Sequence, residues 1–194
     1  MDGRDTRVQD NSVQALKLKK TVVLVGMMGA GKTAVGKALA QALNVPFRDS
    51  DAEIEIAAAR SIAEIFERDG EAFFRRKEAQ VISRLLDGTP SVLSTGGGAY
   101  MQEANRTAIT DRGVAVWLDA PLNVLWNRVR HKDTRPLLRT DNPKETLREI
   151  YEARVPVYAL ADIAVPSEQG KTVEGMAQRV IEALKARDDV LKEG

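Results

Sequence analysis

The chain contains no cysteine, which excludes disulfides, thiolate metal sites and a cysteine nucleophile. It has no apolar run near the roughly 20 residues that span a bilayer, and residues 1–20 lack the apolar middle part of a secretion signal. Basic and acidic side chains nearly balance, so the formal net charge of +1 gives no reason to expect nucleic-acid or membrane binding. We therefore expect a cytoplasmic protein with neither partner.

What the sequence does contain is a regular alternation of apolar patterns. Short runs rich in β-branched and apolar residues predict buried strands at residues 21–26, 46–51, 91–95, 114–120 and 162–166. Helical patterns lie at residues 32–43, 52–59, 61–70, 71–88, 101–113, 121–132, 144–161 and 172–186. Strands that alternate with helices predict an α/β fold, a three-layer α/β/α arrangement with a parallel sheet between two helical layers.

The 194 residues, 43% of them hydrophobic, are enough for one domain with a buried core. We expect this domain at residues 21–187, after a mobile N-terminal extension over residues 1–20, where a short helix at 13–18 is an alternative, and before a frayed C-terminal tail over residues 188–194. Two segments, 52–88 and 131–160, are longer than a minimal crossover between parallel strands. They are the natural places for a substrate pocket and a mobile lid.

A phosphate-binding loop follows the first predicted strand. The stretch "GMMGAGKT", residues 26–33, fits G-x-x-x-x-G-K-[ST] and leads into a helical pattern. Glycines let backbone N–H groups converge on phosphate oxygens, Lys32 can reach the β and γ phosphates, and the Thr33 hydroxyl can bind Mg²⁺. The alternative is a glycine turn that happens to end in Lys-Thr. The chain has neither the D-x-x-G turn nor the N-K-x-D reader of GTPase switches, so a small kinase remains.

A kinase also needs carboxylates near the metal and the acceptor hydroxyl. "FRDSD" supplies Asp49 and Asp51, which would face the same side of a strand at i and i+2. One could serve the Mg²⁺ shell while the other accepts a hydrogen bond from the acceptor. The alternative is helix capping, with Asp51 as the N-cap of the next helix and Asp49 merely solvated.

Further candidate residues come from the long segments and from a glycine triplet. Arg75 and Glu78 stand at i, i+3 on one helix, where the carboxylate could fix the guanidinium or form an ordinary solvated ion pair. "STGGGA" places Gly96–Gly98 after a buried strand, which indicates either close backbone approach to a ligand or a simple turn. Arg135 and Arg154 could bind phosphate or carboxylate, although either could be an ordinary surface arginine.

Together these stretches resemble the shikimate kinase family. The resemblance is carried in order by "GMMGAGKT", "FRDSDAEIE", "IAEIFERDGEAFFRRKE", "LSTGGGA", "RPLL" and "EARVPVY", and it runs from residue 21 to about 185. It implies the fold of nucleoside monophosphate kinases, with a five-stranded parallel sheet, a substrate-binding region at about 49–80 and a lid at about 131–143. It also implies phosphorylation of the 3-hydroxyl of shikimate by ATP in aromatic amino-acid synthesis, by a protein that is commonly a monomer.

The resemblance further implies a role for each matching residue. Asp51 would bind the acceptor hydroxyls and assist proton removal, and Asp49 with Thr33 would hold Mg²⁺, the former through water. The shikimate-binding residues would be Asp51, Arg75, Gly97, Gly98 and Arg154. The catalytic residues would be Lys32, Asp51 and Arg135. The ATP-binding residues would be Gly29, Ala30, Gly31, Lys32, Thr33, Ala34, Arg128, Arg135 and Gln169, with Arg128 stacked on adenine.

Two rival functions are weighed against this one. A gluconate kinase of the same fold would share the phosphate loop but would leave Arg75 and Arg154 unexplained, because its pocket need not combine them with Asp51. A nucleotide-dependent regulatory protein without turnover would not need both Lys32 and Asp51.

Overall fold

The computed structural model describes residues 15–132 and 135–193. Its main sheet has five parallel strands in the order β3-β4-β2-β5-β6. These are β2 Thr21–Val25, β3 Phe47–Asp49, β4 Val92–Ser94, β5 Gly113–Asp119 and β6 Ile163–Pro166. The five-stranded parallel sheet predicted from the sequence is therefore confirmed.

Helices cover the sheet and make the fold a three-layer α/β/α structure. They are α1 Lys32–Leu43, α2 Ser50–Ala58, α3 Ile62–Leu86, α4 Glu103–Arg112, α5 Leu122–Val129, α6 Pro143–Tyr158 and α7 Val173–Lys185, with short 3₁₀ helices η1 Ala99–Met101 and η2 Pro136–Leu138. Helix α1 packs on α7, and α3 packs on α4. Within the part of the chain described, no helix is both long and apolar enough to cross a bilayer.

The sequence of the central strand, β2, is a continuous apolar run because the strand is buried on both faces. All five residues of β2 are buried, because β4 and β5 flank it and helices cover both of its faces. Val22 lies opposite Val92 on one side and Val114 on the other. The carboxyl end of β2 therefore emerges at the middle of the sheet edge, where the phosphate loop begins.

A break at Gly70 divides α3 into the two helical segments that the sequence predicts. Gly70 has φ 81° and ψ 172° inside an otherwise helical run, a conformation that L side chains rarely adopt. Ser61 caps the first segment in a capping box with Glu64. The second segment carries Arg75 and Glu78, two candidate residues identified from the sequence.

The two chain ends form a second sheet, which corrects the predictions made for them. Strand β1 Leu16–Leu18 pairs antiparallel with β7 Leu191–Glu193, so described residues 16–18 form a strand and not a helix. The tail is not frayed at 190–193, since Val190 and Leu191 are buried against the main core. Lys20 and Asp189 add an ion pair at 2.8 Å. The predicted mobility of residues 1–14 lies outside the described residues.

Candidate active site

The phosphate loop joins β2 to α1 at the carboxyl edge of the sheet. Gly31 precedes α1 with φ 93°, and no side chain caps this helix. The first backbone N–H groups of α1 thus lack a capping acceptor, which is the arrangement that binds phosphate oxygens. Gly29 is needed for space as well, because a Cβ there would lie 2.7 Å from Val129 Cγ1.

The Lys32 side chain forms hydrogen bonds with backbone carbonyl groups of this loop. Its Nζ donates hydrogen bonds to the carbonyl oxygens of Gly26 at 2.7 Å and Met27 at 2.9 Å. Burial, and after it the charge of nearby Arg135, lower the pKa of Lys32 from 10.5 to about 8. An anionic ligand in the loop would reverse that effect, because negative charge favours the protonated amine.

The Thr33 hydroxyl and the Asp49 carboxylate form the candidate metal site. Thr33 Oγ1 lies 3.5 Å from Asp49 Oδ2, while Asp49 Oδ1 accepts the N–H groups of Asp51 and Ala52 and so caps α2. No cluster of three or more His, Asp or Glu side chains in residues 15–132 and 135–193 could hold a metal alone. The two oxygens fit Mg²⁺, which keeps waters and substrate phosphates among its ligands.

This geometry corrects the expectation for the two acids. The capping residue is Asp49 and not Asp51, which was the alternative considered. Strand β3 ends at Asp49 and α2 begins at Ser50, so Asp51 lies in the first helical turn and not on a strand. Both carboxylates still line one cavity, because the turn from strand to helix brings Asp51 to the same side.

The environment of the Asp51 carboxylate disfavours its charged form. Burial raises its pKa and the charge of Asp49 raises it further, while Lys32 opposes the shift. A Cβ on Gly96 would lie 2.9 Å from Asp51 Oδ1, so the glycine lets the carboxylate approach the backbone. A carboxylate with a raised pKa is a better proton acceptor than a solvated one.

Arg75 is fixed by a nearly inaccessible carboxylate. Its Nη1 donates to Glu78 Oε1 at 2.8 Å, and the Glu78 side chain is only 1% exposed. Burial raises the pKa of Glu78, and the charge and hydrogen bond of Arg75 oppose that shift. The solvated ion pair considered as an alternative is thus excluded, and the guanidinium is aimed by a buried partner.

The glycine triplet after β4 makes room for two arginines. A Cβ on Gly98 would lie 2.5 Å from Arg75 Nη2, and one on Gly97 would lie 2.9 Å from Arg154 Nη1. Any larger residue at either position would displace a guanidinium. The triplet therefore leaves space for Arg75 of α3 and Arg154 of α6 to line the same cavity.

Two cavities of about 570 and 690 Å³ meet at this point. The first is the nucleotide cavity, lined by the phosphate loop with Asp49, Arg128, Lys132, Ser167 and Lys171. The second is the acceptor cavity, lined by Phe66, Phe74, Arg75, Glu78, Gly98, Leu137 and Arg154. Both are lined by Met28, Asp51, Gly96, Gly97 and Arg135. A phosphoryl group could pass between two ligands only at this junction.

Most of the predicted nucleotide residues line the first cavity, with one exception. Arg128 does so and donates to the carbonyl oxygens of Gly29 at 3.1 Å and Ala30 at 3.4 Å. Gln169 is exposed and does not line the cavity, whereas Ser167 and Lys171 do. Gln169 was predicted from the family resemblance, but the turn after β6 places its neighbours Ser167 and Lys171 at the cavity instead.

Sequence reasoning missed the residues whose patterns look like ordinary core. Phe66 and Phe74 form an apolar wall of the acceptor cavity, and Leu137 of η2 faces it while 53% exposed. Tyr158, at the end of α6, donates a hydrogen bond from its hydroxyl to the Gly97 carbonyl of the glycine triplet. All four lie in stretches that carry the family resemblance, which was the available signal, but their apolar character is equally typical of ordinary core residues.

A phosphate loop on a three-layer α/β/α fold, joined at a carboxylate to a second cavity lined by arginines, defines a small-molecule P-loop kinase. The family model for shikimate kinase matches residues 28–185. A shikimate kinase from Cereibacter sphaeroides is 68% identical over 189 residues, which covers 97% of this chain and 94% of that protein. The chain belongs to the shikimate kinase family.

Solved structures agree with this placement. The structure of shikimate kinase from Acinetobacter baumannii in complex with shikimate has a TM-score of 0.81 and 38% identity, and the match covers 86% of this chain and 93% of that one. A gluconokinase from Sinorhizobium meliloti has a TM-score of 0.60 and 18% identity, covering 88% and 94%. The gluconokinase shares the fold alone.

Proposed function

We propose that this protein transfers the γ-phosphoryl group of ATP to the 3-hydroxyl of shikimate, giving shikimate 3-phosphate and ADP in the chorismate pathway of aromatic amino-acid synthesis. The observation that carries the proposal is the junction of the two cavities, where Asp51 lies between the phosphate loop and two arginines. Membership of the shikimate kinase family supports the choice of acceptor.

The acceptor cavity suits a small ring with a carboxylate at one end and hydroxyls at the other. Arg75 and Arg154 would clamp the carboxylate, since guanidinium groups match its two oxygens. The backbone N–H groups of Gly97 and Gly98 would add neutral donors. At the opposite end, Asp51 would accept a hydrogen bond from the 3-hydroxyl and take up its proton during transfer.

The nucleotide cavity would bind ATP with its γ phosphate toward Asp51. Lys32 would leave the Gly26 and Met27 carbonyls to contact the β and γ phosphates. Arg135, whose Nε is buried without a hydrogen-bond partner among the described residues, would contact the transferring group. Arg128 would stack on adenine. The protein's contribution is therefore alignment and charge stabilisation of an in-line transfer.

Mg²⁺ would be held by the Thr33 hydroxyl directly and by Asp49 through water. When bound, it would neutralise negative charge on the phosphate oxygens that Lys32 also contacts. Asp49 can fill this role while it caps α2, because its Oδ1 accepts the two backbone N–H groups and its Oδ2 lies on the side of Thr33.

We also propose that the chain forms a single kinase domain, in which β1 and β7 extend the predicted residues 21–187. Its substrate-binding region lies at about 49–80 and its lid at about 131–143, and it works as a cytoplasmic monomer. The acceptor cavity draws Ile62–Glu78 from the first region and Arg135–Leu137 from the second. Light scattering after size exclusion would measure the oligomeric state.

A coupled assay of ADP release tests the proposed acceptor. The purified protein would receive ATP and Mg²⁺ with shikimate, gluconate, quinate or a nucleoside monophosphate. We expect release that depends strongly on shikimate. Release that depends instead on gluconate or a nucleoside monophosphate would overturn the acceptor while leaving the phosphate loop in place, and release with none of them would favour a regulatory protein.

A further inference from the structure

Tyr158, the last residue of α6, is fully buried with its hydroxyl beside the acceptor cavity. Its relative exposure is 0%, and its ring stacks on Trp117 of β5 with centroids 6.2 Å apart. The hydroxyl donates a hydrogen bond of 2.5 Å to the carbonyl oxygen of Gly97. Tyr158 does not line either cavity, so it reaches the site only through other groups.

The Arg154 guanidinium, one helical turn earlier on α6, flanks the same glycine as this hydroxyl, because a Cβ on Gly97 would lie 2.9 Å from Arg154 Nη1 and 3.6 Å from Tyr158 Oη. Burial raises the pKa of Tyr158, and the charge and hydrogen bond of Arg154 oppose that shift. A tyrosine hydroxyl can donate one hydrogen bond and accept others. It donates to Gly97 and can accept from the neighbouring guanidinium, which would join the two groups in one network.

The Gly97 carbonyl is the one in the glycine triplet that depends on a side chain. The carbonyl oxygens of Gly96 and Gly98 accept the N–H groups of Ala99 at 3.1 Å and Met101 at 3.2 Å. The Gly97 carbonyl and the Gly98 N–H belong to one planar trans peptide and point in opposite directions. A hydroxyl that holds the carbonyl away from the acceptor cavity consequently turns the Gly98 N–H toward it.

We propose that Tyr158 is a positioning residue for the acceptor, which fixes the Gly98 N–H and the Arg154 guanidinium in the pose that binds the acceptor carboxylate. The proposal rests on the proposed function, since it concerns how that acceptor is held. Both groups it fixes would contact the carboxylate end of the acceptor and not the reacting hydroxyl. Its loss should weaken acceptor binding more than it slows the chemical step.

The test is Tyr158→Phe, with Tyr151→Phe as the matched control on the same helix. Tyr151 is partly buried against the core and lines neither cavity. We expect Tyr158→Phe to raise KM for shikimate about tenfold, the effect of one lost hydrogen bond in a charged network. The KM for ATP and kcat should stay within about twofold, as expected when an interaction contributes equally to ground and transition states.

A purely structural role predicts a different pattern. General loosening of the fold would lower the unfolding temperature and the active fraction, reducing kcat without separating the two substrates. Equal changes in both KM values, or an unchanged KM for shikimate in a folded Tyr158→Phe, would overturn the proposal. If instead the unsubstituted protein does not phosphorylate shikimate at all, the proposed function fails first, and the two failures are thereby distinguished.

A second measurement does not depend on the folding of Tyr158→Phe, since Tyr100→Phe and Tyr151→Phe identify the Tyr158 resonance by elimination. In protein labelled with ¹³C at tyrosine Cζ, a slowly exchanging hydroxyl gives two resonances in a mixture of H₂O and D₂O. We expect Tyr158 to show two resonances that move when shikimate is added. A single averaged resonance would contradict a hydroxyl held between Gly97 and Arg154, and a pair that shikimate leaves unmoved would contradict a role in positioning the acceptor.

Discussion

The nucleotide cavity and the acceptor cavity solve the same problem, the binding of an anionic ligand, in two different ways. The phosphate loop does so with consecutive backbone N–H groups and the start of α1, within residues 26–33. The acceptor cavity does so with side chains that α2, α3, η2 and α6 bring from residues 51–154. The phosphate loop is formed by neighbouring residues, so its geometry should tolerate substitutions in distant elements. The acceptor cavity depends on the tertiary structure that brings several elements together.

The two cavities also differ in how their cationic side chains are held in position. Lys32 is held by the carbonyl oxygens of its own loop. Arg75 and Arg154 are aimed by Glu78 and Tyr158, which lie on the same helices but are themselves buried. Substitution of Lys32 should therefore lower the rate of transfer itself, while substitution of the acceptor-cavity arginines should weaken acceptor binding more than ATP binding.

The largest effect is expected for Lys32→Ala. Removing the cation that contacts the β and γ phosphates should lower kcat by at least about 10³-fold, because charge in the transferring group is no longer neutralised. The measurement is coupled ADP release with saturating shikimate. Lys37→Ala, on the exposed side of the same helix, is the control and should behave like the unsubstituted protein; near-normal turnover of Lys32→Ala would remove the phosphate-loop assignment.

Asp51→Asn should come next. The amide cannot accept the hydroxyl proton, so kcat should fall by about 10²- to 10⁴-fold while the far-UV circular dichroism stays unchanged. Asp111→Asn, at an exposed position on α4, controls for the loss of one carboxylate. A kcat for Asp51→Asn equal to that of the control would end the proposed role of Asp51 in proton removal.

Arg154→Ala sharpens the comparison between the cavities. Loss of a charged hydrogen-bond donor to the carboxylate should raise KM for shikimate by about 10- to 100-fold, and the KM for ATP should change much less. Arg148→Ala removes an exposed arginine from the same helix, where it pairs with Glu152 and Glu145, and should change neither KM. Equal increases in both KM values for Arg154→Ala would argue against a carboxylate clamp.

The lowered pKa of Lys32 predicts a modest pH dependence of ATP binding. In the empty loop its pKa is about 8, and the negative phosphates of bound ATP should raise it. Lys32 is then protonated in both states below pH 7, but above pH 8 binding must take up a proton, so affinity should fall as pH rises. Isothermal titration calorimetry at pH 8.5 should give an enthalpy that varies with the ionisation enthalpy of the buffer. An enthalpy independent of the buffer would contradict this account.

The smallest effect on activity is expected far from both cavities. Leu191→Ala in β7 should lower the free energy of unfolding by about 2 kcal/mol, since the side chain is buried in the terminal sheet. It should leave kcat/KM within about twofold because β7 lines neither cavity. Thermal unfolding measures the first quantity, with exposed Lys192→Ala as control. An unfolding temperature equal to that of the control would support the prediction from the sequence that the C-terminal tail is frayed.

Features that depend on residues close together in the sequence could be predicted from it. The phosphate loop, the five strands and the break at Gly70 each depend on a local pattern, and each is present in the structure. The pairing of Arg75 with Glu78 was also visible, because both lie on one helix. Its burial was not, since exposure depends on which elements pack around α3.

Features that depend on distant residues could not be predicted. Tyr158 and Gly97 are 61 residues apart, and apolar spacing on α6 makes the tyrosine look like ordinary core. The terminal sheet joins β1 to β7 across nearly the whole chain, so neither end shows its partner locally. Asp49 and not Asp51 caps α2 because the strand ends one residue before the helix begins, a boundary that patterns fix only to within a few residues.

The central claim is that Arg75 and Arg154 bind the acceptor carboxylate while Asp51 holds the hydroxyl that receives the phosphoryl group. A crystal structure with shikimate, ADP and Mg²⁺ tests it most directly. The account predicts the carboxylate between the two guanidinium groups and the 3-hydroxyl within hydrogen-bond distance of Asp51. A ring turned the other way, with its carboxylate toward the phosphate loop, or a ring bound outside the acceptor cavity, would contradict it.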